Sequence, residues 1–164
     1  MRGIERIEKL ITGELEPPPI ARLLGFRITA VAPGRLTIEF DADERHANPM
    51  GVLHGGVYCD IADAAMGEAY LSELEEGETF RTLELKINYL RGVTKGHLVA
   101  EARVVSRGRR VGMVECDVWD TGGPGAGAES NQPGRKVLVA RASSTCLTLR
   151  ERPASESKNV PHTK

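Results

Sequence analysis

The sequence lacks the cysteine pattern of a disulfide-stabilised or zinc-binding protein. Its three cysteines, Cys59, Cys116 and Cys146, are far apart, form no CxxC pair and have no histidines clustered with them. An odd, scattered set of thiols supports neither a disulfide framework nor a zinc site, and we predict no bound metal. A reducing compartment fits best, and we expect a cytoplasmic protein.

An excess of one charge and long apolar runs are also missing. Lys and Arg number 22 against 23 Asp and Glu, so the formal net charge is -1, which argues against a nucleic-acid-binding face or a polybasic membrane anchor. No apolar run approaches the roughly 18 residues that cross a bilayer, and charges stand where a signal peptide would be apolar. We therefore expect neither a nucleic-acid nor a membrane partner.

Hydrophobic residues make up 40% of the 164-residue chain, enough for the core of one domain. Alternating apolar residues predict about six strands, and Pro33-Gly34 predicts a turn between the first two. A proline-free run, Val57–Leu74, predicts one long helix that is buried on most sides. The expected fold is α+β, a long antiparallel sheet wrapped around one central helix. The predicted strands are residues 26–32, 35–41, 80–90, 97–106, 110–120 and 135–149.

Segments outside these elements divide the chain further. Residues 1–19 are predicted to hold a short amphipathic helix, over residues 2–13, followed by a proline-rich linker. The main domain is expected to span residues 20–149. We also predict a flexible Gly-rich hairpin loop over residues 121–134 and a disordered tail over residues 150–164.

The turn before the long helix is a candidate oxyanion site. Gly55 and Gly56 let the backbone approach a ligand closely at the point where unpaired helical N–H groups point outward. These N–H groups, at the positive end of the helix dipole, could polarise a carbonyl oxygen. The alternative is that His54-Gly55-Gly56 only turns the chain into a helix, and the tripeptide alone favours that interpretation.

Asp63 is the candidate catalytic carboxylate. It lies two turns into the apolar helix, where an ionised carboxylate is expensive to bury unless it is paired or serves a reaction. A structural aspartate bonded to a backbone group is an equally good interpretation of the residue alone. Asp60, near the helix start, more simply complements the helix dipole. His46 is expected to be a solvated loop residue, and His97 to have no special role.

Three patterns together resemble the PaaI-like acyl-CoA thioesterases of the 4HBT superfamily, which have the hotdog fold. They are N-x5-HGG from Asn48 to Gly56, an acid nine residues after the histidine, and the strand T-x-E-L-K-I-N-Y-L-R that begins at Thr82. The resemblance covers roughly residues 20–149. It implies a homodimer joined edge to edge, or a dimer of dimers, with active sites between subunits.

The resemblance also implies roles for individual residues. The Gly55 N–H would polarise the thioester carbonyl, and Asp63, from the partner subunit, would act as base or nucleophile. Asn48 and His54 would shape the turn, and Thr82 would hold Asp63 or the attacking water. The reaction would release coenzyme A, which is part of the substrate, and no cofactor is needed.

Residues around this site are candidates for binding the substrate. Arg107, Arg109 and Arg110 at a hairpin tip could bind the coenzyme A phosphates together with Gly56, and Arg91 and Lys95 form a second basic tip. Apolar residues of the helix and the facing strand could line the acyl pocket, although such residues are more often core. The candidates for this lining are Met66, Tyr70 and Phe80.

Two other functions stay open at this stage. One is a non-catalytic acyl-CoA-binding module of the same fold, and the other is a hotdog dehydratase in which a histidine transfers the proton. His54 lies in the turn beside the glycines, as in thioesterases, which favours hydrolysis of an acyl- or aryl-CoA thioester. The sequence does not identify the acyl group.

Overall fold

A computed structural model describes residues 1–122 and 136–150. Its strands form one six-stranded sheet in which every neighbouring pair is antiparallel. The predicted strands are therefore confirmed to within a few residues at their ends. In chain order they are β1 (Arg27–Ala32), β2 (Arg35–Ala42), β3 (Glu78–Tyr89), β4 (Gly96–Arg107), β5 (Val111–Asp120) and β6 (Val137–Arg150).

The order of strands across the sheet is β1-β2-β4-β5-β6-β3, so β1 and β3 are its edges. The first hairpin turns at Gly34, whose φ of 69° lies in the left-handed region that glycine adopts without strain. Along β2, Leu36, Ile38 and Phe40 alternate with more exposed residues and point into the core. Irregularities in four of the strand pairings bend the sheet.

Three α-helices and one 3₁₀ turn accompany the sheet in the described residues: α1 (Gly3–Ile11), α2 (Pro19–Leu24), the turn Glu44–His46 and α3 (Gly55–Leu71). The long helix α3 begins two residues before its predicted start, because His54 caps it and both glycines lie inside its first turn. The sequence analysis did not predict α2. Pro19 is its first residue, a position where proline is tolerated because no N–H is needed there.

Helix α3 packs against the sheet and forms the centre of the core. Ile61, Met66 and Tyr70 are completely buried there, together with residues from β2, β4, β5 and β6. Ile7 of α1 is also completely buried in this cluster, so the N-terminal helix packs onto the same body. No helix in the described residues is long and apolar enough to span a bilayer.

The expectation for His46 was wrong. Its ring is buried against the edge of Phe40, Nε2 is 3.2 Å from the Leu24 carbonyl oxygen, and its own carbonyl accepts the His54 N–H at 2.9 Å. It therefore ties the loop before α3 to the end of α2. The predicted flexible loop and disordered tail fall almost entirely on residues 123–135 and 151–164, which lie outside the described residues.

Candidate active site

The turn before α3 is built around the Asn48 side chain. Its Oδ1 accepts the backbone N–H groups of Met50 at 2.9 Å and Val52 at 3.3 Å. The Gly51 N–H bonds to the Asn48 carbonyl, and Gly51 has a positive φ of 78°. These bonds use the amide oxygen of Asn48 inside the turn, so its observed contacts shape the loop that leads to His54.

His54 is the N-cap of α3. Its Nδ1 accepts the Gly56 N–H at 2.9 Å, and its carbonyl accepts the Val57 N–H at 3.0 Å. The Gly56 N–H is thereby used within the protein. The Gly55 N–H is one of the first-turn donors that have no partner inside a helix, and no acceptor for it is found among the described residues. Gly55 therefore supplies the free donor at this helix end.

Tyr89 holds the first turn of the helix from the side of β3. Its hydroxyl donates to the Gly55 carbonyl at 3.0 Å and lies 3.3 Å from the Cys59 sulfur. The bond with Cys59 and burial raise the pKa of Tyr89 to about 12, so the hydroxyl stays protonated at neutral pH. A Cβ on Gly55 would lie 3.0 Å from the tyrosine oxygen, so the absence of a side chain at Gly55 lets the tyrosine hydroxyl approach the helix this closely.

Asp63 lies on the exposed side of α3, where Thr82 of β3 reaches it. The Thr82 hydroxyl donates to Asp63 Oδ1 at 3.0 Å. Thr82 pairs across the sheet with Cys146, which is completely buried. One oxygen of the carboxylate is therefore held by a residue of the sheet, and the other has no hydrogen-bond partner among the described residues. The structure brings together the two residues that the sequence analysis grouped here.

A cavity of about 450 Å³ lies beside Asp63. Its floor is formed by α3, and its other walls come from the N-terminal segment and the first hairpin. The lining is mostly apolar, with carboxylates along the helix side. The lining residues are Leu10, Ile11, Pro17, Pro18, Ile20, Ala21, Phe26, Arg27, Ile28, Ile38, Asp60, Asp63, Ala64 and Glu68.

The residues predicted to form the acyl pocket lie elsewhere. Met66 and Tyr70 are completely buried in the core, and the Tyr70 hydroxyl is bonded to Thr148 at 2.7 Å. The Phe80 ring stands edge-on to Tyr70, and a Cβ on Gly67 would lie 2.8 Å from it. None of the three lines the cavity beside Asp63, because they face other parts of the protein.

The three candidate phosphate-binding arginines are at the tip between β4 and β5, as predicted, but they differ in their contacts. Arg107 donates to the Glu73 carbonyl and to the Glu78 carboxylate, which it approaches to 2.9 Å. It therefore fastens the tip to the segment that follows α3. The Arg109 and Arg110 side chains are exposed, so these two are the better placed to meet a ligand.

The free N–H and the held carboxylate are far apart within one chain. Eight residues separate Gly55 from Asp63, and at 1.5 Å per residue the helix places them about 12 Å apart along its axis. A reacting carbonyl must lie about 3 Å from each group that acts on it. The two groups of one protomer therefore cannot act on the same carbonyl.

The sequence analysis missed several residues of this region. Tyr89 stands in the quoted strand motif, but nothing in the motif showed that its hydroxyl reaches the Gly55 carbonyl. Glu68 was not considered, although its spacing of eight residues from Asp60 places both on one side of the helix. The cavity walls from Leu10 to Ala21 could not be found from local patterns, because they depend on how the N-terminal segment folds back.

Comparisons with known proteins agree with this architecture. Residues 50–126 match the thioesterase superfamily 4HBT. The proofreading thioesterase EntH of Klebsiella pneumoniae is 32% identical over 100 residues, which cover 61% of this chain and 73% of that protein. Human acyl-coenzyme A thioesterase 13 is 28% identical over 99 residues, covering 59% of this chain and 70% of that protein.

A solved structure extends the similarity over most of the chain. A phenylacetic acid degradation-related protein from Ralstonia eutropha JMP134 superposes with a TM-score of 0.70 at 30% identity, covering 86% of this chain and 98% of that one. The six-stranded antiparallel sheet packed on helix α3 is the arrangement of hotdog thioesterases. The chain therefore belongs to the 4HBT thioesterase superfamily and has its hotdog fold.

Proposed function

We propose that the protein is an acyl-CoA thioesterase, which hydrolyses an acyl- or aryl-CoA to the free acid and coenzyme A. The observation that carries the proposal is the Asp63 carboxylate, held by Thr82 at 3.0 Å on the wall of a largely apolar cavity of about 450 Å³. The names of related proteins support the substrate class, since one of them is an acyl-coenzyme A thioesterase.

The chemistry needs only a base or nucleophile and a donor to the carbonyl oxygen. A thioester carbonyl is already electrophilic, so no Ser-His-Asp triad is needed. Asp63 can either activate a water molecule or attack the carbonyl carbon directly. The Gly55 N–H, at the positive end of α3, stabilises the negative charge that develops on the carbonyl oxygen. When the C–S bond breaks, the coenzyme A thiolate leaves and takes up a proton.

Because Gly55 and Asp63 of one chain are too far apart, the proposed site is formed by two copies. Strand β3 lies at the edge of the sheet and carries Leu83, 57% exposed, and Tyr89, 52% exposed. Such an edge offers backbone groups for pairing with a second chain. We propose a homodimer joined at β3, in which Gly55 of one copy faces Asp63 of the other, and which could further pair into a tetramer.

His54 has a structural role in the proposed hydrolysis, whereas a histidine in a dehydratase must exchange a proton with its substrate. Here Nδ1 accepts the Gly56 N–H at 2.9 Å, so this nitrogen is used to cap the helix. The proposed role of His54 is therefore to fix the turn that presents the Gly55 N–H.

The direct test measures thiol release from a panel of acyl-CoAs that covers short, medium and long aliphatic chains, phenylacetyl and hydroxybenzoyl. Replacing Asp63→Asn should lower kcat by about 100-fold or more, as removal of a general base does. Asp60→Asn is the matched control, because Asp60 lines the same cavity on the same helix, and it should lower kcat by less than about tenfold. Coenzyme A binding without turnover of any panel member would instead indicate a binding module.

The dimer is tested separately by light scattering after size-exclusion chromatography. Leu83→Asp places a charge on the proposed β3 interface and should convert dimers to monomers with loss of activity. Leu23→Asp is the control, because Leu23 is 78% exposed on α2, away from that edge. A monomeric wild type that is fully active would contradict the two-copy site.

A further inference from the structure

The peptide unit between Gly55 and Gly56, at the start of α3, is held at both ends by side chains. Its N–H, which belongs to Gly56, donates to His54 Nδ1 at 2.9 Å. Its oxygen, which belongs to Gly55, accepts the Tyr89 hydroxyl at 3.0 Å. A peptide unit is planar, so bonds at its two ends restrict the orientation of the whole unit. The Gly55 N–H, which the proposed reaction uses as a donor, is attached to the same Cα.

Gly55 needs such a hold because of its residue type and its position. Glycine has the widest choice of backbone conformations, and the N–H at the first position of a helix has no partner inside the helix. A donor stabilises a developing oxyanion well only when it already points at that oxygen before the reaction. Side chains outside the glycine must therefore supply the rigidity that the glycine itself lacks.

Tyr89 is anchored in the rigid part of the protein. It is the last residue of β3, and its backbone pairs with that of Ala140, a completely buried residue of β6. Its ring stands edge-on to the buried ring of Tyr58, with the ring centres 5.8 Å apart. Tyr89 therefore connects the sheet to the first turn of the helix.

Cys59 restrains the tyrosine hydroxyl from the helix side. A tyrosine hydroxyl has one proton to donate, and Tyr89 donates it to the Gly55 carbonyl. The Cys59 sulfur lies 3.3 Å from the same hydroxyl oxygen, so the thiol is the donor in this second contact. The hydroxyl of Tyr89 is thus used as donor and acceptor at once, which fixes its direction.

We propose that Tyr89 is a positioning residue, whose hydroxyl holds the Gly55–Gly56 peptide unit so that the Gly55 N–H points at the thioester carbonyl. The inference rests on the proposed function, because it takes Gly55 as the oxyanion donor. Tyr89 acts through Gly55 and does not contact the reacting atoms. The proposed dimer would also shield the bond from water, since Tyr89 lies on the edge strand β3.

Tyr89→Phe tests this role, because it removes the hydroxyl and keeps the ring. With the acyl-CoA that the wild type hydrolyses fastest, kcat should fall by about tenfold and KM should change by less than about twofold. Tyr58→Phe is the matched control, because the Tyr58 hydroxyl has no hydrogen-bond partner among the described residues, and its kcat should stay within about twofold of the wild type. An unchanged kcat in Tyr89→Phe, or a rise in KM alone, would overturn the inference.

A second substitution separates positioning from a general structural role. Gly55→Ala keeps the N–H and narrows the backbone freedom that Tyr89 otherwise restrains. Its Cβ would lie 3.0 Å from the tyrosine oxygen in the wild type, and Tyr89→Phe removes that oxygen. In the Tyr89→Phe background, Gly55→Ala should therefore raise kcat by about threefold or more, whereas in the wild type it should give no gain. A double variant no faster than Tyr89→Phe would contradict the positioning role.

Backbone dynamics give a readout that does not depend on turnover. In ¹⁵N relaxation measurements, the order parameters of Gly55 and Gly56 should be about 0.85 in the wild type, as in a rigid helix, and should fall toward about 0.6 in Tyr89→Phe. Light scattering checks that this variant keeps the oligomeric state of the wild type. Equal order parameters in the two proteins, or a loss of kcat that accompanies a change of oligomeric state, would overturn the inference.

These readouts separate a failure of the inference from a failure of the proposed function. If the wild type hydrolyses no acyl-CoA of the panel, the proposed function fails, and the order parameters alone decide whether Tyr89 holds this peptide unit. If the wild type is active and Tyr89→Phe behaves like it in kcat and in order parameters, thioester hydrolysis stands and the role of Tyr89 is refuted.

Discussion

The two faces of helix α3 differ in what they contribute. The face toward the sheet carries residues that are completely buried, among them Ile61, Ala65 and Met66. The face toward the N-terminal segment carries Asp63 and Glu68 along a cavity. One face is close-packed and holds the fold together, whereas the other keeps carboxylates and open space. The same helix therefore contributes to the core on one side and to the candidate active site on the other.

The largest expected effect on stability is on the sheet-facing side. Met66→Ala removes a completely buried side chain from the core and should lower the free energy of unfolding by about 2–5 kcal/mol. Urea denaturation measures this change. Asp63→Asn, on the other face, should change the free energy of unfolding by less than about 1 kcal/mol. Comparable losses from both would mean that the two faces are not separate.

A smaller effect is expected from filling the cavity. Ala64 is half-buried and lines it, so Ala64→Leu should take up space that the acyl group of the proposed substrate would occupy. We expect kcat/KM for phenylacetyl-CoA to fall by about tenfold or more, with little change for acetyl-CoA. An equal fall for the two substrates would show that the cavity does not hold the acyl group.

The hydrogen bond to Asp63 gives a third test of how the two faces of α3 differ. Thr82→Val removes the hydroxyl that holds Oδ1 and should lower kcat by about tenfold with KM little changed, because the carboxylate loses its orientation. Thr82→Ser keeps the hydroxyl and should recover most of the lost rate. If serine and valine behaved alike, the hydroxyl would have no positioning role.

The smallest effect concerns the stability of the cavity side at different pH values. Burial raises the pKa of Glu68 in the folded protein, with Arg6 opposing, and Asp60 and Asp63 line the same cavity. The protonated form therefore stabilises the fold at acidic pH, and this contribution is lost as pH rises through the raised pKa. The difference in Tm between Glu68→Gln and the wild type should therefore shift in favour of Glu68→Gln as the pH rises from 4 to 7. A constant difference would contradict this.

Local patterns predicted much of the fold and part of the site. Alternation along β2 identified a strand because one face is buried, and the glycines after His54 located the helix start to within two residues because their role is local. Asp63 was recognisable because a carboxylate is unusual in an apolar helix. Its partner Thr82 followed only from the family resemblance, since a contact between a helix and a strand depends on tertiary packing.

Other parts of the site could not be predicted for the same reason. Whether Met66 or Ala64 faces the cavity depends on how α1 and α2 cover the helix, and periodicity does not show this. Arg107 looked like its neighbours Arg109 and Arg110 in sequence, yet it alone reaches Glu78 in the structure. His46 looked like a loop residue until its contact with Phe40 was seen.

Subunit complementation tests whether Gly55 of one copy and Asp63 of another form one site. Gly55→Pro removes the N–H at a helix position that accepts proline, and the extended backbone of His54, with ψ of 135°, suits a following proline. Gly55→Ala is its control, because alanine makes the same Tyr89 contact but keeps the N–H.

The measurement is thiol release by a purified heterodimer of Gly55→Pro and Asp63→Asn chains, selected with two affinity tags. Each variant alone should be inactive. In the heterodimer, one of the two sites receives an intact Gly55 and an intact Asp63, so we predict about half of the wild-type activity. A heterodimer as inactive as its parents would contradict a site shared between subunits.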